Sequence, residues 1–184
     1  TGGFGNDKLY GNALDNVLIG GPGDDLLAGG PGNETYVFDT DLAWGSETIV
    51  ELLSDPGTDI LDFSPTTGQQ INLNMGILDA FQTVNASLQL KLVGEGIEEV
   101  FGGALNDVIR GNGNNNILHG GPGNDLLDGK NGDDLLDGGP GNDTLLGGEG
   151  TDRIDESANA SFTLTNKKLT RGTEEDTLDS IEIA

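Results

Sequence analysis

The chain has 184 residues, of which 34% are apolar and 5% aromatic; it has no cysteine, and 32 acidic residues against 8 basic ones give a formal charge of −24. This balance excludes a disulfide scaffold or a thiolate metal site. It also argues against nucleic acid or an anionic membrane surface as partner, because both require basic patches. So few apolar side chains under such self-repulsion place the unliganded chain near the disordered class, and a cation is expected as the missing counter-charge.

From the N-terminus, nine-residue units start at Gly2, Gly11, Gly20 and Gly29. Their sixth positions hold Asp7, Asn16, Asp25 and Glu34, and their eighth positions Leu9, Leu18, Leu27 and Tyr36. From residue 38 to 92 the strict register lapses, but strand signals continue at residues 47–51, 59–63, 70–75 and 87–93, the last alternating cleanly. Residues 55–63, "DPGTDILDF", keep a glycine, an acid and an aliphatic in repeat-like order. Longer, irregular coils are therefore expected here, with a separate small β subdomain as the alternative; residues 76–84 read as a turn of helix or a loop.

A weaker unit opens at Val93, with Glu98 sixth and Val100 eighth. Six uninterrupted nonapeptides then start at Gly102, Gly111, Gly120, Gly129, Gly138 and Gly147. Their sixth residues are Asp107, Asn116, Asp125, Asp134, Asp143 and Asp152; their eighth are Ile109, Leu118, Leu127, Leu136, Leu145 and Ile154. Past Asp155, residues 160–170 and 175–184 read as strands that echo residues 86–93 and 96–103, which lead into a repeat block; of a lead into a further block and a cap on the open end of the stack, the cap is favoured. The expected organisation is a first repeat block (1–37), irregular β coils (38–92), a second repeat block (93–155) and a C-terminal β cap (156–184). No run reaches the ~18 apolar residues of a membrane span, and no signal peptide is visible. Because "TGGFGND" starts inside a repeat, the chain reads as a fragment of a longer protein.

Each unit divides in two. Glycines at the first, second and fourth places permit backbone angles closed to other residues and let carbonyls approach a ligand. The last three residues form a short strand whose eighth side chain points inward. Two units make a coil of eighteen residues, and only stacked coils can bury their leucines. Stacking sets Asp107 against Asp125, Asp125 against Asp143 and Asp134 against Asp152. Such columns of like charge require an oxygen-seeking cation between them. Ca²⁺ takes about 6–8 oxygens in flexible geometry, whereas Mg²⁺ keeps its waters and zinc wants His or Cys.

The units match G-G-x-G-x-D-x-U-x, with U a large aliphatic, and the sequence resembles the repeats-in-toxin (RTX) family of secreted bacterial proteins. The resemblance implies an all-β, right-handed parallel β-roll. It implies Ca²⁺ held between stacked turns by sixth-position carboxylates, with carbonyls from the second and fourth positions of one turn and the first and third of the other. Carried over, the metal-binding turns are Gly2, Gly3, Phe4, Gly5 and Asp7; Gly20, Gly21, Pro22, Gly23 and Asp25; and Gly102, Gly103, Ala104, Leu105 and Asp107. They continue with Gly120, Gly121, Pro122, Gly123 and Asp125; Gly129, Lys130, Asn131, Gly132 and Asp134; Gly138, Gly139, Pro140, Gly141 and Asp143; and Gly147, Gly148, Glu149, Gly150 and Asp152. Asn16, Glu34 and Asn116 complete the set. The neutral amides of Asn16 and Asn116 and the longer arm of Glu34 weaken their sites, which leaves about three to six ions.

The expected function is a non-enzymatic calcium-binding module of a secreted protein, folding on Ca²⁺ after export, which the resemblance assigns to type I secretion. The alternative is an extracellular adhesion module for a polysaccharide or for neighbouring repeat domains. It would use the outward seventh residues Val108, Ile117, Leu126 and Leu135 with the basic cluster Lys167, Lys168 and Arg171; that cluster reads first as a solubilising face. Acidic pairs could act as a glycosidase's acid and base, but nearly every prominent pair falls at a repeat position. His119, the only histidine, sits at an outward ninth position and reads as a solvated surface residue, as do the fifth-position Asp24 and Asp133.

Overall fold

A computed structural model describes residues 1–51, 57–155, 162–165, 168–171 and 174–179, and every described regular element is a β-strand. No helix is long and apolar enough to cross a membrane among the described residues. Strands β2 (Asn16–Leu18), β4 (Glu34–Val37), β6 (Ile60–Asp62), β10 (Glu99–Phe101), β12 (Ile117–His119), β14 (Leu135–Asp137) and β16 (Arg153–Ile154) form one parallel sheet in that order. Strands alternating with these in the chain form two further sheets. One runs β1 (Lys8–Tyr10), β3 (Leu26–Ala28), β5 (Gly45–Val50) and β9 (Leu88–Val93) in parallel and closes on β8 (Phe81–Thr83), antiparallel to β9. The other runs β7 (Asn72–Asn74), β11 (Val108–Arg110), β13 (Leu126–Asn131), β15 (Thr144–Glu149) and β19 (Glu174–Asp179) in parallel. It ends on antiparallel β18 (Lys168–Arg171) and β17 (Phe162–Thr165).

This is a parallel β-roll. In the regular blocks each strand lies on its neighbour with a step of 18 residues, as when Val108, Ile109 and Arg110 pair with Leu126, Leu127 and Asp128. Alternation along each strand sends the eighth residue inward: Leu27, Val100, Ile109, Leu118, Leu127, Leu136 and Leu145 are all 0% exposed. One unit offers a single such side chain, so the hydrophobic cluster exists only because coils stack.

Strands from residues 38–92 pair with both blocks. On one side the long parallel sheet passes through without a gap, β4 to β6 to β10. On the other side one sheet ends at β9 and β8, and a new one begins at β7. The coils here are longer, with steps of 22, 25 and 39 residues between stacked turns. The added interior is filled by Phe38, Trp44 and Phe63, with Phe38 and Phe63 stacked at 5.1 Å. Residues 76–84, read from sequence as helix or loop, instead bring Leu78 into a bridge with Leu92 and supply β8. The alternation of Gln82 inward with Phe81 and Thr83 outward satisfies a strand, and no capped helical face competes with it.

Candidate metal centre

Stacked sixth-position residues are tied by one recurring hydrogen bond, from the backbone amide of one to the side-chain oxygen of the next. Asp107 donates to Oδ1 of Asp125 (2.7 Å), Asp125 to Asp143 (2.8 Å), Asn116 to Asp134 (2.8 Å), Asp134 to Asp152 (3.0 Å) and Asp7 to Asp25 (2.8 Å). The same bond links the irregular coils: Glu34 donates to Oδ1 of Asp59 and Asp59 to Oε2 of Glu98, each at 2.9 Å. One file of side chains therefore runs Asn16, Glu34, Asp59, Glu98, Asn116, Asp134, Asp152 beside the unbroken sheet. The opposite file runs Asp7, Asp25, Glu47, then stops, because Leu90 pairs with Glu47 and Ile71 lies under Asp107; it resumes as Asp107, Asp125, Asp143.

Fifth positions form an outer ladder of reversed direction. Asp24 donates its amide to Oδ1 of Asn6 (3.1 Å) and Thr151 donates to Oδ1 of Asp133 (2.8 Å), while Oδ1 of Asp24 accepts from the amide of Ser46 (3.1 Å). Asp24 and Asp133 are exposed, as expected, and also cap the turn above.

The conformation of the second residue divides the turns into two kinds. In the Gly103, Asn112 and Asn12 turns its amide folds back on the sixth side chain: Gly103 to Oδ2 of Asp107 (2.6 Å), Asn112 to Oδ1 of Asn116 (2.9 Å) and Asn12 to Oδ1 of Asn16 (2.7 Å). Elsewhere the second residue is left-handed, with φ 89° at Gly121, 85° at Gly139 and 84° at Lys130. Oδ2 of Asp7, Asp25, Asp125 and Asp134 and both carboxylate oxygens of Glu34 and Glu47 then meet no donor in the described structure, although they are buried. No lysine or arginine among the described residues pairs with these six.

The unmet oxygens converge with backbone carbonyls. A side chain at Gly120 would begin 2.5 Å from Oδ2 of Asp125 and 2.7 Å from the carbonyl of Gly138, and one at Gly2 would begin 2.5 Å from Oδ2 of Asp7 and 2.6 Å from the carbonyl of Gly20. Glycine at the first position thus leaves an oxygen-lined cradle between turns. Burial pushes the carboxyl of Asp125 up to about 7, helped by the charges of Asp107 and Asp143. Burial likewise raises Asp134 to about 6 and Asp107 to about 6, and raises Glu47 to about 8 with the added charges of Asp25 and Asp24. Buried anions lacking cationic partners, beside carbonyls and without nitrogen or sulfur donors, suit a hard cation of the size and flexibility of Ca²⁺.

The remaining sequence-predicted positions sort by these criteria. Asn16 and Asn116 lie in the file but are closed by their own turns, with Nδ2 of Asn116 left without an acceptor. Glu34 is 0% exposed and reaches the file despite its length. Phe4 is 93% exposed, so only its backbone belongs to the turn. His119 is not the solvated residue expected: its ring stacks on Phe101 at 4.3 Å and lies 3.0 Å from Glu99 and 3.4 Å from Asp137. Burial favours its neutral ring, but the Asp137 and Glu99 carboxylates outweigh that and raise its pKa. Lys167 lies outside the described residues, while Lys168 and Arg171 fall on β18. Sequence periodicity missed Glu47 as a file member and Glu51 altogether. The half-motifs Gly45-x-Glu47-x-Ile49 and Gly57-x-Asp59-x-Leu61, a glycine, an acid and an aliphatic at alternate places, are the signals that mark the irregular turns.

Comparison with known families matches the model of the RTX calcium-binding nonapeptide repeat at residues 1–36, 93–127 and 119–154, more than half of the chain. No curated protein gives a match.

Proposed function

The chain belongs to the RTX calcium-binding nonapeptide repeat family, and from that premise we propose that it is a non-enzymatic module that stays unfolded until Ca²⁺ binds and folds after export from the cell through a type I channel. The observation that carries the reading is the set of buried carboxylate oxygens that no donor meets, repeated turn after turn beside the carbonyls of the neighbouring coil. The ligands are the sixth-position carboxylates Asp7, Asp25, Asp125, Asp134, Asp143 and Asp152 with turn carbonyls, for about three to six ions, while Asp107, expected from sequence among them, has its Oδ2 capped by the Gly103 amide. Without the cation, buried like charges and the ordering of 32 glycines oppose folding; with it, binding free energy becomes folding free energy. Extracellular calcium modules bind at about 10⁻⁴–10⁻³ M, a range that leaves such a chain unfolded in the cytosol and folded outside. The strands β17 to β19 extend the sheet of β15 at the last coil, a placement that supports reading this segment as a cap on that edge.

Far-ultraviolet circular dichroism of the chain in EGTA and in millimolar calcium tests this. A β-sheet spectrum that develops only with calcium, and not with equal magnesium, is expected; an equally β-rich spectrum in EGTA sinks the reading.

A further inference from the structure

Glu51 stands outside the nonapeptide pattern. It follows β5 where a regular unit would place its first glycine, because Ile49 already pairs with the eighth-position Leu27. Its side chain turns into the roll and is 2% exposed. Oε1 accepts from the Tyr36 hydroxyl at 2.6 Å and from the Gly29 amide at 3.2 Å, and that amide also donates to the Tyr36 oxygen at 2.8 Å. Tyr36 is itself an exception, a phenol at an eighth position where the other units carry an aliphatic.

These exceptions meet at one place. Glu34, Glu51 and Asp59 are all buried, and one oxygen from each lies within 4.8 Å of the other two. Glu34 is 0% exposed with neither oxygen met by a donor, and no basic side chain among the described residues pairs with it. Burial, with the charges of Asp59 and Glu51, lifts its carboxyl to about 7. A buried polar side chain aimed at two further carboxylates is unfavourable unless a cation joins them.

We propose that Glu34, Glu51 and Asp59 form a calcium site of a second kind, in which a carboxylate from outside the repeat supplies a third charge and the Tyr36 hydroxyl holds it in position. The inference rests on the calcium-binding reading of the roll. Affinity rises with the number of charged ligands, so this site fills before the sites built from paired sixth-position residues. Its ion ties the last turn of the first repeat block to the end of β5 and to the turn that precedes β6. Tyr36 acts as a positioning residue: its oxygen bonds a ligand while its ring occupies the core.

Calorimetric calcium titration of the full chain tests the assignment and is expected to resolve a tight step ahead of the others. Glu51→Gln weakens that step by at least about tenfold with later steps unchanged. Tyr36→Phe weakens it by about tenfold while leaving the spectrum at saturating calcium as in the wild type, an effect that filling the core alone would not produce. Asp125→Asn acts on the later steps only. Identical titrations for the wild type, Glu51→Gln and Tyr36→Phe overturn the three-carboxylate site and leave the repeat sites standing. A wild-type chain that takes up no calcium overturns the broader reading. If Glu51→Gln does not fold even at saturating calcium, Tyr36→Phe decides, and an unchanged tight step in that variant counts against the proposal.

Discussion

The amide of Asp107 donates to Oδ1 of Asp125 across 2.7 Å, while Oδ2 of Asp125 meets no donor. One carboxylate therefore divides two tasks between its oxygens: the first fixes the stacking of consecutive coils, and the second, with the charge, is the one the proposed function gives to a cation. Asp125→Asn separates them, because an amide oxygen still accepts from Asp107 while the anion is lost. The expected outcome is a chain that reaches the wild-type spectrum at high calcium but needs about tenfold more of it. Asp125→Ala loses the stacking bond too and should fall short even at saturation, by about 1–3 kcal/mol for the stranded Asp107 amide. Calcium titrations followed by circular dichroism distinguish the two; equal midpoints for Asp125→Asn and wild type would show that the charge is not used.

The closed turns make a converse prediction. At Asn112 the second-position amide satisfies Oδ1 of Asn116 at 2.9 Å, so restoring the charge alone leaves the new carboxylate capped by its own turn. Asn116→Asp should therefore gain little calcium affinity. The pair Asn112→Gly with Asn116→Asp frees the second residue to turn left-handed, as Gly121 does, and should bind one more ion than the wild type. Stoichiometry by calorimetry reads the difference, and an extra ion in the single variant contradicts the role given to the second residue.

Much of this was legible in the chain because the repeat carries both the fold and the candidate site. The eighth-position aliphatics from Leu27 to Leu145 mark the core, and the sixth-position acids mark the file, since a fixed step of nine puts equivalent residues on equivalent faces. Legibility ends where the step changes. Glu47 sits one coil above Asp25, but 22 residues rather than 18 separate the two, the same step as between Asp24 and Ser46 on the outer ladder. No fixed period finds it, although the glycine, acid and aliphatic order survives. The break at Leu90 and Ile71 is illegible for a different reason. Clean alternation marks residues 87–93 as a strand but does not say that a leucine takes the place of a carboxylate; that follows only from pairing Glu47 with Leu90. Glu51 depends on a phenol across the core, a contact that no local pattern encodes.

Lys130 holds a left-handed backbone, φ 84°, at a place where the stacked Gly148 and the neighbouring Gly121 and Gly139 carry no side chain. An L-residue there costs roughly 1–2 kcal/mol. Its contact with Asp128, 2.5 Å on a side chain 45% exposed, returns little. Lys130→Gly should therefore stabilise the calcium-loaded roll, by up to about 1 kcal/mol after the greater freedom of the unfolded glycine is subtracted. Gly121→Ala should destabilise it by more than the left-handed cost alone, because the new Cβ would begin 2.5 Å from the carbonyl of Gly103. Thermal unfolding at fixed calcium measures both, and a Lys130→Gly variant less stable than the wild type would contradict the strain assigned to this turn.

Acid should act in opposite directions on the metal-free and calcium-loaded chains. Folding raises the carboxyls of Glu47 to about 8, Glu34 and Asp125 to about 7, and Asp107 and Asp134 to about 6, from ordinary values of 3.8 for Asp and 4.5 for Glu. A raised carboxyl means that the folded state binds more protons than the unfolded one, so stability increases as pH falls through about 8 to 6 and stops increasing below about 4. In EDTA the chain should therefore gain β structure between pH 8 and pH 5, with protons replacing part of the missing cation. In calcium the same protons compete with the ion for the same oxygens, so the midpoint of the calcium titration should move to higher concentration over that interval. Circular dichroism at the two pH values, with and without calcium, checks both arms. A metal-free spectrum that does not change from pH 8 to pH 5 would mean that the buried carboxylates do not oppose folding, and the account of the calcium requirement would lose its cause.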